Sequence, residues 1–167
     1  EISYVYSKKI LFQFENVIPP SVAVSIQEAI YTMDISALQK RVEAFLLQTI
    51  SYHDAANETF YHGLILGLCA MLDNRYHITS NREAGNGRFD IQMLPLNKKL
   101  PGILIEVKAG KDCNDEQLTE LAQTALDQMN DRQYHLEMTG QGVTEILKYG
   151  IAFSGKKVCI KAERSRT

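Results

Sequence analysis

Between Gly102 and Lys108 the chain reads Gly-Ile-Leu-Ile-Glu-Val-Lys, an almost wholly apolar run that ends in an acid and a base. Consecutive β-branched and aliphatic residues suit a strand covered on both faces, as in the middle of a sheet. Alternation puts Ile103, Ile105 and Val107 on one face and Leu104, Glu106 and Lys108 on the other. A charge on a covered strand is costly unless it is paired or holds a metal. The run therefore demands a sheet layered on both sides and a reason for Glu106.

The flanking pattern supplies the layers. Upstream, Arg88 to Leu94 sets Phe89, Ile91 and Met93 against Arg88, Asp90 and Gln92, a half-buried strand. Tyr76 to Ser80 reads as a short strand before it, joined through the turn Gly85-Asn86-Gly87, and the loop Pro95 to Pro101 leads on to Gly102. Before the strands, Tyr61, Ile65, Leu68, Cys69 and Leu72 recur at helical spacing within Asp54 to Asp73. After them, Asn114 and Gln117 form a partial capping box for a helix ending near Tyr134, with Leu118, Leu121, Ala122, Ala125, Leu126 and Met129 as its stripe. Gly140 and Gly142 punctuate the chain, and Tyr149 to Phe153 and Val158 to Ile160 read as two strands joined around Gly155. Helix, three strands, helix, strand, strand describes an α/β domain with a mixed central sheet flanked by helices. Residues 1–50 form an N-terminal helical extension, broken near Asp34 and opened by Pro19-Pro20, and residues 51–163 form the core domain.

Composition narrows the function classes. No apolar run reaches the roughly 18 residues that cross a bilayer, and the start lacks the layout of a secretion signal, so a cytoplasmic protein is expected. Cys69, Cys113 and Cys159 form no C-x-x-C pair and suggest reduced thiols. A net charge of −2 argues against a strong constitutive nucleic-acid binder. The clusters Lys98-Lys99, Lys156-Lys157 and Lys161, Arg164 and Arg166 read as solvated surface.

Asp90 and Glu106 lie on neighbouring strands, each opposite the apolar side, so the two carboxylates can meet. Lys108, two residues past Glu106, points the same way. Two hard oxygen ligands for Mg²⁺ (or Mn²⁺) with an adjacent ammonium suit phosphodiester hydrolysis, and the backbone carbonyl of Val107 could be a further ligand. The competing reading is a polar sheet face with cross-strand ion pairing.

Gly87-Arg88-Phe89-Asp90 followed by Ile103-Leu104-Ile105-Glu106-Val107-Lys108 resembles the D…E-x-K signature of the PD-(D/E)XK nuclease superfamily. The bacterial branch often found behind an AAA-ATPase-like domain is similar over Glu58 to Leu68, Ala125 to Met129 and Tyr149 to Lys156, so the resemblance spans about Tyr52 to Ile160. Phe89 stands where the superfamily name has proline. The resemblance implies a restriction-endonuclease-like core (α-β-β-β-α-β), a metal-dependent nuclease and a nucleic-acid partner, with DNA the expected substrate. It also implies an AAA-ATPase-like domain upstream in a longer protein.

Further residues gain meaning beside it. Glu58 falls on the stripe of Tyr61, His62 and Ile65, and in the family an acid here often completes the metal shell; a helix-start cap is the alternative. Gln128 lies on the inner side of its helix, where related enzymes place a glutamine near the site. Tyr52, Tyr61 and Arg88 are candidates to contact phosphate or support Asp90. His62 is read as a packing residue, and Tyr134 and Lys156 carry no assigned role. The catalytic set is Asp90, Glu106, Lys108 and Gln128, and the metal set is Asp90, Glu106, Val107 and Glu58. A second hypothesis keeps the fold and drops the chemistry, leaving a catalytically silent module that binds nucleic acid or protein.

Overall fold

The computed structural model describes residues 20–49, 58–70, 75–84, 87–131 and 135–166. Two helices lead, α1 (Pro20–Thr32) and α2 (Ile35–Thr49). Met33, with φ 54°, ends the first, and Asp34 Oδ1 caps the second by accepting the Ala37 N–H at 2.9 Å. Then come α3 (Glu58–Ala70), β1 (Tyr76–Ala84), β2 (Gly87–Pro95), β3 (Gly102–Ala109), α4 (Asp115–Asp131), α5 (His135–Gly140), β4 (Glu145–Ser154) and β5 (Lys157–Arg166). The strands form one five-stranded sheet in chain order. β3 and β4 are parallel and the other neighbours antiparallel, so the sheet is mixed and α4 lies in the β3-to-β4 crossover. This is the α/β architecture expected from the sequence, with helices at the N-terminus as anticipated.

Boundaries differ in instructive ways. β1 runs past Ser80 to Ala84, and β5 past Ile160 to Arg166, through polar residues. Both are edge strands, and β5 stays in register with β4 from Ser154↔Lys157 to Glu145↔Arg166, so backbone pairing carries segments that hydropathy does not mark. The short α5 was not anticipated; it sets Met138 into the core. The expected helix residues 54–57 and 71–73, and Gly85-Asn86 of the expected turn, lie outside the described residues.

β3 is covered on both sides: Ile103 to Val107 are all buried. On one face Ile103, Ile105 and Val107 join Ile91, Met93, Tyr149, Ile151 and Phe153 against α1, α2 and α3. On the other, Leu104 packs with Leu126, Met129, Met138 and Ile146. α4 starts at the expected box, now reciprocal: Asn114 Oδ1 accepts the Gln117 N–H at 2.8 Å and Gln117 Oε1 accepts the Asn114 N–H at 3.0 Å. Gly150 lets the helix settle on β4, because a Cβ there would stand 2.3 Å from the Ala122 carbonyl oxygen. No described helix is long and apolar enough to cross a membrane.

Candidate active site

β2 and β3 pair at Met93↔Ile103, Gln92↔Leu104 and Ile91↔Ile105, and the ladder stops one step short of Asp90 and Glu106. There a side chain takes over from the backbone: Asp90 Oδ2 accepts the Val107 N–H at 2.8 Å. The Asp90 carbonyl lies 3.1 Å from His62 Nε2 on α3. A carbonyl only accepts, so that ring nitrogen carries the proton. The aspartate is thus held at its carboxylate by β3 and at its backbone by α3.

Glu106 is 2% exposed. Its Oε1 accepts from Lys108 Nζ at 3.3 Å and from Gln128 Nε2 on α4. Its Oε2 is buried with no hydrogen-bond partner among the described residues. Gln92 Nε2, two residues along β2 from Asp90, shares that condition. Burial pushes the Glu106 carboxyl up to about 7, the negative charge of Asp90 adds to the rise, and Lys108 only partly opposes it. Among the described residues two acids lie together with one ammonium, and burial of Glu106 outweighs its ion pair.

The structure therefore brings Asp90, Glu106, Lys108 and Gln128 together. Val107 contributes its backbone, since its side chain belongs to the apolar core. Two expected residues are not gathered with them. Glu58 does not lie on the inward stripe: it is exposed in the first turn of α3. Helical side chains lean toward the N-terminus, so a residue at the first position projects beyond the helix instead of down onto the sheet. Among the described residues no three His, Cys, Asp or Glu side chains converge as a metal cluster. Tyr61, expected at the substrate, is 1% exposed, stacks on Phe153 at 4.3 Å between ring centroids and donates its hydroxyl to the Gly155 carbonyl at 2.7 Å. In that position it is a packing residue. The Arg88 side chain lies outside the described residues, as do Tyr52 and Tyr134.

Sequence reasoning read His62 as a packing residue, to which the structure adds its contact with the Asp90 carbonyl, and it did not single out Lys148, Asn130 and Glu163, a second polar group beneath α4. The available signal was Lys148 itself, a lone charge within the apolar run Ile146 to Phe153, the same anomaly that marked Glu106.

The donor set is fit for a hard cation. Carboxylate oxygens of Asp90 and Glu106, one of the latter buried and unpartnered among the described residues, are the ligand type that Mg²⁺ and Mn²⁺ prefer. No curated protein is similar enough to the chain to count as a match. Residues 56–163 match the PD-(D/E)XK nuclease superfamily. That stretch takes in the diverging ends of β2 and β3, the lysine beside them and the helix that carries Gln128, and it makes up more than half of the chain, so the protein belongs to the PD-(D/E)XK nuclease superfamily.

Proposed function

We propose that the chain is a divalent-metal-dependent nuclease that hydrolyses phosphodiester bonds in DNA. In this reading residues 51–163 form the nuclease unit, and a longer protein carries an AAA-ATPase-like domain upstream and works in the cytoplasm. The observation that carries the reading is Glu106 Oε2, a buried carboxylate oxygen without a partner among the described residues, beside a second carboxylate. Native structures rarely leave such an atom unsatisfied without a functional reason.

Asp90, Glu106 and the Val107 carbonyl would hold Mg²⁺ or Mn²⁺. In a strand the N–H and C=O of one residue face the same edge, and the Val107 N–H faces Asp90, so its carbonyl is turned to the same gap. Two carboxylates with further places for water and phosphate are usual for Mg²⁺, so the outward position of Glu58 leaves the set sufficient. A bound ion would supply Lewis acidity, an activated water and neutralisation of charge on the phosphate. Lys108 keeps 21% of its side chain exposed, so its ammonium can turn from Glu106 to a phosphate oxygen and stabilise the charge that develops there. Gln128 holds Glu106 Oε1, which leaves Oε2 for the ion.

A catalytically silent binding module is the second reading, and the net charge of −2 favours it. Incubation with plasmid, linear and single-stranded DNA in Mg²⁺, Mn²⁺ and chelator separates the two. Cleavage that disappears with chelator and in Lys108→Ala supports the nuclease. Binding of DNA without cleavage under every metal condition selects the silent module.

A further inference from the structure

On the far flank of α4 from Glu106, Lys148 of β4 is 3% exposed, as deeply buried as the site glutamate. Its ammonium donates to Asn130 Oδ1 at 2.6 Å and to Glu163 Oε1 at 3.4 Å, and Asn130 Nδ2 donates to Glu163 Oε2 at 3.1 Å. Lys148 and Glu163 are direct cross-strand partners of β4 and β5, while Asn130 comes down from α4. Three hydrogen bonds thus close a ring in which both oxygens of Glu163 and both ends of the Asn130 amide are used.

Asn130 is two residues from Gln128, about 200° around the helix. Between them on the sheet side lie the buried residues Ala122, Ala125, Leu126 and Met129. One amide therefore reaches down each flank of the apolar stripe, Gln128 to Glu106 and Asn130 to Lys148. Apolar contact is non-directional and leaves the roll of a helix about its axis weakly determined. A roll of about 20° moves a side-chain tip by about 2 Å at the radius of a helix, enough to break a hydrogen bond.

We infer that Asn130, Lys148 and Glu163 are positioning residues: their closed ring fixes the roll of α4 and thereby sets Gln128 on Glu106. The consequence for metal binding and cleavage rests on the nuclease reading; the placement of Gln128 does not. In this arrangement the site is tuned from a cluster that touches neither metal nor substrate.

The side-chain amide of Gln128 reports the effect directly. In metal-free protein labelled with ¹⁵N-glutamine, its NH₂ signal is assigned by its absence in Gln128→Ala. Asn130→Ala and Lys148→Met are expected to make its solvent exchange at least tenfold faster, with backbone dispersion retained; Glu163→Gln, which keeps an acceptor oxygen, should change it less. If Lys148→Met fails to fold, Asn130→Ser at the half-buried end of the ring gives the same reading. A Gln128 amide that keeps its protection when the ring is broken overturns the inference, whether or not the protein cuts DNA. An amide that loses protection in a protein without cleavage upholds the clamp and counts against the nuclease reading alone. If the protein does cleave, Asn130→Ala should slow it in the parent and add no further loss in a Gln128→Ala background. Equal losses in both backgrounds would show that Asn130 acts by another route and overturn the clamp.

Discussion

Two charged clusters lie under the same helix, one on each flank of α4, and their hydrogen bonding is opposite in kind. Lys148, Asn130 and Glu163 form a closed ring with one acid for one base. Asp90, Glu106 and Lys108 have two acids for one base, a buried oxygen without a partner among the described residues and a carboxyl pushed up to about 7. Both contain a charge on a strand that the helix covers, so burial alone does not distinguish them. Completeness of pairing does. A satisfied buried network rigidifies a fold, whereas an incomplete one retains the capacity to bind something else.

The largest expected effect separates the clusters by activity. Lys108→Ala should lower the cleavage rate by about a hundredfold or more, roughly 3 kcal/mol of barrier, with the fold retained, because the ammonium acts on developing charge. Single-turnover rates on labelled DNA measure it, and an unchanged rate removes Lys108 from the chemistry. The next effect is on stability against pH. The ordinary Glu106 value near 4.5 is raised to about 7, so the native state keeps a proton that the unfolded chain has released. The associated stability is fully present below about 4.5 and is lost as pH rises through about 7. Its ceiling, from the size of the shift, is about 3 kcal/mol. Melts of the metal-free protein should therefore fall across that window. Asp90→Asn removes the like charge, so its slope should be flatter and its melting temperature above neutral pH no lower than wild type. Millimolar Mn²⁺ should raise the wild-type melt by mass action, with most of that rise lost in Asp90→Asn. Identical melts of the two proteins with and without Mn²⁺, with no heat of binding, would mean that these carboxylates form no metal site.

The closed ring should respond asymmetrically. The Glu163 side chain is 43% exposed and that of Lys148 4%. Lys148→Met strands an acid that water can reach; Glu163→Ala strands a buried ammonium with Asn130 as its remaining partner among the described residues. The second should cost about 2 kcal/mol in chemical denaturation and the first clearly less, since an uncompensated buried charge is the expensive outcome. Equal costs would show that the ring is solvated and the contrast with the Glu106 cluster overdrawn.

Much of this was legible in the sequence because alternation is a strong signal in a covered strand. Ile103, Ile105 and Val107 against Leu104, Glu106 and Lys108 specified both faces of β3, and the spacing to Asp90 specified its neighbour. The stripe of α4 put Gln128 on the inner side of the helix, and the resemblance to related enzymes put it near the site. What alternation cannot report is where a ladder stops: the gap beyond Ile91↔Ile105, which turns the Val107 amide to Asp90, depends on the divergence of two strands. Helical spacing likewise gave Glu58 an inward face, but its direction depended on how close it stood to the first turn. Tyr61 lies on the inward stripe of its helix as expected, but spacing does not say what its phenol meets: a phosphate, Asp90 or, as in the structure, the Gly155 carbonyl.

The smallest expected effect tests whether α3 shares in holding the open cluster as α4 does. Where the ladder has stopped, the Asp90 carbonyl accepts from His62 Nε2 at 3.1 Å. A neutral hydrogen bond of this kind contributes about 1 kcal/mol net. Its loss would let the Asp90 backbone move while the carboxylate stays on Val107, so metal affinity should weaken by about fivefold. His62→Leu keeps most of the volume and removes the donor; His62→Gln keeps an N–H donor at similar reach. Calorimetric titration with Mn²⁺ should therefore show the leucine variant weakened and the glutamine variant near wild type. A ring that only packs predicts the reverse order, because leucine fills an apolar contact at least as well as an amide does. If both variants bind Mn²⁺ like wild type, Asp90 is held by its bond to β3 alone, and the contribution of α3 to the site ends at its apolar stripe.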